Sequence, residues 1–165
     1  MKILGVDPSL RSTGFGLIHV NGSHYTSVCH GHIKNPSSLL PSRCLARIGD
    51  AIASLIDEHK PDVVAVEGLV YVQNTRIGFT LGQVRGVIIA AAAARGLPIY
   101  EYAPRKVKQS VTGLGGAGKT QVANMVKVQL GLREAPLPDA ADALAIALCH
   151  ALSCRGAQLN PPKQI

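Results

Sequence analysis

Apolar positions along this chain follow two rhythms, and the switches between them lay out its elements. The run Lys2–Asp7, KILGVD, stays apolar until it closes on a carboxylate and reads as a buried strand. TGFGLIHV at 13–20 and YTSVCHGHI at 25–33 read as two further strands. Gly14 and Asn21-Gly22 supply turn chemistry on either side of the first of these, which predicts an antiparallel meander. Helical spacing takes over at Pro41–His59, where Leu45, Ile48, Ile52, Leu55 and Ile56 fall on one face. DVVAVE at 62–67 is a continuous apolar strand, again closed by a carboxylate, and suits a parallel strand covered on both faces.

A long helix is predicted over 76–95, stopped by Gly96 and Pro98. Along it Gly78, Gly82, Gly86, Ala90 and Ala94 recur every fourth residue, a ridge that lets either the sheet or a second subunit come close. PIYEYA at 98–103 is a fifth strand, and helices follow at 105–111, 120–130 and 139–152. This order predicts an α/β protein with a five-stranded mixed sheet flanked by helices. Residues 1–154 form a single domain in this reading, and RGAQLNPPKQI at 155–165 is a flexible C-terminal tail.

Composition narrows the function classes. With 165 residues and 47% hydrophobic positions the chain has enough apolar material for one real core. Lys and Arg outnumber Asp and Glu by 17 to 10, which points towards a polyanionic partner, nucleic acid being the commonest, against the alternative of a merely basic surface. The longest apolar run, VIIAAAAA at 87–94, is far shorter than the ~20 residues of a membrane span. Cys29, Cys44, Cys149 and Cys154 have no C-x-x-C spacing and read as reduced thiols of a cytoplasmic protein. CHGH at 29–32 places His30 and His32 on one face of a strand but lacks a second ligand cluster, which argues against zinc.

GLGGAGKT at 113–120 fits the phosphate-loop pattern G-x-x-x-x-G-K-[ST] residue for residue. A working loop of that kind joins a buried strand to a helix, whereas RKVKQSVT before Gly113 is polar and helix-like. No later strand ends in an Asp to hold Mg²⁺, so no nucleotide is expected at 113–120.

The carboxylates carry a stronger signal. Asp7 and Glu67 end two strands expected to lie side by side, and Asp139 and Asp142 share a face at the start of the last helix. Each alone has a structural reading: a turn at Asp7-Pro8, a helix cap at Asp139, a solvated first-turn acid at Asp142. Together they form a hard-oxygen cluster suited to Mg²⁺ or Mn²⁺, and gathered carboxylates repel unless a cation neutralises them. On a basic domain that combination favours a metal-dependent nuclease.

In order, GVDPSLRSTGFGLI, VVAVEG, LGQVRGVIIAAA, YEYAPRKVKQSVTGLGGAGKTQV and DAADALAIALCHA resemble the RuvC-type Holliday-junction resolvases over nearly all of residues 1–154. The resemblance implies a ribonuclease-H-like fold, a homodimer, and Mg²⁺-dependent nicking of two opposing strands of four-way junction DNA in recombination and repair. It places the family's four acids on Asp7, Glu67, Asp139 and Asp142, with two Mg²⁺ ions per subunit and Mn²⁺ as a substitute. The family's lysines near the active site fall on Lys108 and Lys119, which reassigns the lysine of the apparent phosphate loop to the DNA backbone. Arg76, Arg85 and Lys106 are further candidate DNA contacts. Where the family commonly carries an aromatic residue, this chain has Val70, with Tyr71 one residue later as a candidate stacking surface or, equally, an ordinary surface residue. Partnership with the RuvA–RuvB branch-migration complex is implied as well.

Overall fold

A computed structural model describes residues 1–68, 75–155 and 162–165. Its sheet runs β3-β2-β1-β4-β5-β6, built from β1 (Lys2–Asp7), β2 (Ser12–Asn21), β3 (His24–Lys34), β4 (Val63–Glu67), β5 (Ile99–Tyr102) and β6 (Lys163–Gln164). The first three strands form the predicted antiparallel meander, and β4 lies parallel to both β1 and β5. Helices α1 (Pro41–His59), α2 (Thr75–Ala93), α3 (Pro104–Thr112), α4 (Lys119–Leu130) and α5 (Pro138–Ser153) complete the fold.

The sheet has six strands rather than the five expected. Lys163 and Gln164 pair antiparallel with Glu101 and Tyr100, and Ile165 N–H donates to the Ile99 carbonyl at 3.0 Å. A two-residue strand carries no periodicity to detect. It is held instead by ladder bonds and by the Lys163 ammonium on Glu101 Oε1 at 2.6 Å, so the described end of the expected tail belongs to the sheet.

Side-chain alternation divides the interior into two cores. Leu4, Val6, Val64 and Val66 point to one face, where Ile48, Ile52 and Ile56 of α1 and Val84 and Ile88 of α2 cover them. Ile3, Val63 and Ala65 point to the other, under α5 with α3 and α4 beside it. α5 is the central helix, buried at nearly every position from Ala140 to Ala151. It lies unusually close to the sheet because β1 and β2 present glycines to it. A Cβ on Gly5 would stand 2.1 Å from the Ala143 carbonyl oxygen, and one on Gly14 2.0 Å from that of Asp139. Gly16, paired with Gly5 across the ladder, gives the same clearance to Leu144.

The small-residue ridge of α2 turns away from the sheet. Val84, Ile88 and Ala92 are buried on the inner side, while Cβ atoms at Gly82 and Gly86 would meet nothing within 4 Å. Of the two alternatives for that ridge, packing on the sheet is thereby removed.

Gly5→Ala and Gly14→Ala should each cost about 3 kcal/mol or more, because the added methyl meets helix backbone rather than a movable side chain. Gly116→Ala, with open space around the new methyl, should stay within about 1 kcal/mol. Urea unfolding of the three variants tests the contrast.

Candidate active site

The same alternation that builds the cores aims the acids. Asp7 follows Ile3 and Gly5 on the α5 face of β1, and Glu67 follows Val63 and Ala65 on the α5 face of β4. The parallel register pairs Val6 with Val66, so the two carboxylates emerge side by side at the carboxyl ends of the central strands. That edge is where open α/β sheets place their ligands. Pro138 starts α5 with a φ already suited to a first helical position, and Asp139 and Asp142 follow on one face. Gly14, the ladder partner of Asp7, admits the Asp139 backbone to van der Waals range. Two strand ends and one helix start thus converge.

Asp7, Glu67, Asp142, Lys108 and Lys119 line one cavity of about 260 Å³, with Pro104, Val107 and Ala145 as its apolar wall. Burial and the nearby charges of Glu67 and Asp142 push the Asp7 carboxyl up to about 7, against the smaller opposing pull of Lys119. Glu67 is raised as well, by burial first and Asp142 next, with Lys119 and Lys108 working the other way. The Lys119 ammonium donates to Asp142 Oδ2 at 3.1 Å, and this contact holds its pKa above the ordinary value. Asp139 stands beside the cavity, where the Ser12 hydroxyl donates to its Oδ2.

Of the expected DNA contacts, Lys108 and Lys119 therefore sit with the acids. Lys106 and Arg76 are exposed on α3 and on the first turn of α2. Arg85 lies on the opposite side of the sheet, where its guanidinium is paired with Glu101, itself shared with Lys163. Tyr71 lies outside the described residues. The loop at 113–120 joins α3 to α4, helix to helix, so its lysine opens a helix that no strand feeds.

Ser12 was not anticipated. Its strand position, even-numbered with Gly14 and Gly16, puts it on the α5 face, but its partner is 127 residues away and only the packing of α5 reveals the contact.

The donor set fits a hard divalent cation. Every candidate ligand is a carboxylate oxygen, and the Asp7 pKa is raised by burial first and then by the charges of Glu67 and Asp142, both penalties on the ionised form that a cation would relieve. With the side chains as placed, no three acidic, histidine or cysteine groups among the described residues are close enough to enclose an ion. The Lys119 ammonium supplies positive charge there instead.

Two outcomes follow from this electrostatic state. A carboxyl raised in the folded chain above its unfolded value stabilises the fold fully below the unfolded pKa, and that contribution is lost as pH rises through the folded one. Metal-free protein should accordingly lose stability between about pH 4 and 7, the ordinary and raised values of Asp7. The shift sets a ceiling of about 4 kcal/mol, and solvent reaching the cavity reduces it to about 1–3 kcal/mol. Asp7→Asn should flatten that dependence and raise Tm at pH 8 in EDTA, as thermal melts across pH would record. Ser12→Ala frees the Asp139 carboxylate and should weaken divalent-cation binding about tenfold, with Ser12→Thr retaining it, when titrated by calorimetry without DNA.

The family model described as "Crossover junction endodeoxyribonuclease RuvC" matches residues 3–150. A protein of that name from Caldicellulosiruptor saccharolyticus is 47% identical over 155 residues, covering 93% of each chain. Another from Thermotoga maritima is 42% identical over 164 residues, covering 99% of this chain and 98% of its own. The structure of T. thermophilus RuvC in complex with Holliday junction substrate superposes with a TM-score of 0.91 at 32% identity, covering 100% of this chain and 99% of that one. The ribonuclease-H-like architecture, the helix-flanked sheet and the sequence agree, and the chain belongs to the RuvC family of crossover junction endodeoxyribonucleases.

Proposed function

We propose that this chain resolves four-way DNA junctions by metal-dependent hydrolysis of phosphodiesters, nicking two opposing strands and leaving 5′-phosphate and 3′-hydroxyl ends. The observation that carries the reading is the shared cavity, in which Asp7, Glu67 and Asp142 face Lys108 and Lys119. Acids without a cation would repel a phosphate, and lysines alone would bind one without cutting it. Their combination around one opening suits an enzyme that grips a phosphodiester and hydrolyses it.

Asp7, Glu67, Asp139 and Asp142 would hold Mg²⁺, two ions per subunit, with Mn²⁺ able to substitute because the ligands are all hard oxygens. When bound, such ions activate water and stabilise the leaving oxygen. Asp7, raised to about 7, gives up its proton most readily when positive charge approaches, so ligand formation and deprotonation are coupled there. Asp139, oriented by Ser12, would complete the ligand set or orient the attacking water. Lys119 is 75% exposed at the mouth of the cavity and its ion pair with Asp142 is correspondingly weak, so it can turn to the scissile phosphate. Lys108 backs it from α3, and Arg76 and Lys106 extend the basic surface beyond the cavity.

The open ridge of α2 supports a homodimer. Gly82, Gly86 and Ala90 offer a close helix approach, and Phe79, 76% exposed, lies on the same face. No helix among the described residues is long and apolar enough to cross a membrane. A cytoplasmic enzyme working with the RuvA–RuvB complex is the setting this reading implies.

A nicking assay on a synthetic four-way junction beside a linear duplex of the same sequence tests the function. The expected result is paired nicks in the junction alone, abolished by EDTA and reduced about 100-fold or more by Glu67→Gln. Equal cutting of both DNAs would leave a nuclease without junction selectivity. Junction binding with no cutting in either Mg²⁺ or Mn²⁺ would sink the catalytic reading.

A further inference from the structure

A second cavity, of about 190 Å³, opens between α4 and the connection that leads into α5. Ala123, Asn124, Ala135, Pro136, Pro138 and Ala141 form most of its walls. Its remaining boundary includes Lys119 and Asp142, which also line the acid cavity. The Lys119–Asp142 ion pair, 3.1 Å long, is thus a partition between two adjoining spaces.

The chemistry of the two spaces differs. The first is lined by carboxylates and ammonium groups, whereas the second beyond its partition is made of alanine methyls, proline rings, the Thr120 side chain and one neutral amide. Largely apolar walls that carry no charge beyond the partition do not select an ion or a phosphate. The volume lies below the ~300–1,000 Å³ of sites for drug-sized ligands, which leaves room for a single flat ring system. Thr120 and Asn124 stand one turn apart on α4, as do Lys119 and Ala123, so the helix face that presents the phosphate-binding lysine continues directly into this space. Asn124 is exposed, and its amide makes no hydrogen bond to another described residue. It therefore offers a donor and an acceptor side by side, the arrangement that pairs with the edge of a base.

We propose that this cavity receives the nucleobase adjoining the scissile phosphate, and that Asn124 reads the edge of that base. The proposal rests on the reading of the acid cavity as the site of DNA cleavage. A phosphate held at Lys119 has its neighbouring sugar and base within reach of the adjoining space, and the alanine and proline surfaces accept the faces of the ring. Base selection at the cut then comes from an amide next to the catalytic acids, with Lys119 fixing the backbone and Asn124 the sequence.

The test uses the full chain on a pool of four-way junctions with randomised bases around the branch point, the cut positions being mapped by sequencing. Asn124→Ala should relax the preference at one base position next to the cut by about tenfold while leaving the preferences at other positions in place. Ala123→Leu, which fills the cavity, should alter preference at that same position. Position-by-position preferences unchanged in both variants would overturn the proposal, as would a uniform loss of cutting across all sequences, which marks a backbone or structural contact. Wild-type protein that cuts no junction in the pool would instead take down the cleavage reading, and the base site with it.

Discussion

The close approach of α5 to the first two strands is the constraint on which the site depends. Asp7 and Glu67 are fixed by strand register, but Asp139 and Asp142 reach them only because the helix rests on backbone where Gly5, Gly14 and Gly16 lack side chains. The contact serves packing and chemistry through the same atoms: the helix that fills the core with Leu144 and Leu148 carries two carboxylates at its first turns. A bulkier residue at Gly14 would lift the beginning of α5, and with it Asp139. The conformational freedom of these strand glycines lowers intrinsic strand stability, a cost of roughly 0.5–1 kcal/mol each that the buried interface must offset.

Burying and gathering these acids in their ionised form opposes folding, and the elevation of Asp7 to about 7, set by burial first and by Glu67 and Asp142 next, registers that opposition. The chain moderates it with Lys119, whose exposed ammonium is worth at most about 1 kcal/mol in a surface pair. That modest value matters: a deeply buried lysine would neutralise the cluster better but could not leave it. Gly118, in extended backbone, caps α4 just before Lys119, and Gly116 and Gly118 have open space around them, so the lysine sits at the rim of the cavity. The loop that imitates a phosphate-binding motif in sequence thus works as a lysine presenter at the start of a helix.

Periodicity made most of this legible. Helices α1 to α5 and strands β1 to β5 follow the apolar spacing closely, and the two strands that end on carboxylates pointed to the acid cavity because a charge closing a buried run needs a reason. What escaped the sequence depends on contacts distant along the chain. Ser12 is an ordinary strand-start serine until α5 brings Asp139 to it. Arg85 has the composition of a DNA contact, yet it is engaged by Glu101 of β5 on the far face of the sheet. Gly14 read as a turn residue, whereas it sits within β2 and its missing side chain is what counts. β6 is too short to show any pattern and exists through pairing with β5 alone.

The sheet itself separates two roles. The α5 face carries the acids and the lysines, while the α2 side carries the open glycine ridge and the Arg85–Glu101–Lys163 cluster. The proposed dimer along that ridge would leave the acid cavities uncovered, because the ridge and the cavity lie on opposite sides of one layer. Glu101 adds a link between them: it ties α2 to β5, the strand parallel to the one that ends at Glu67, and its side chain lies against Gly68. Glu101 thus connects α2 to the backbone beside Glu67 through one ion-paired residue.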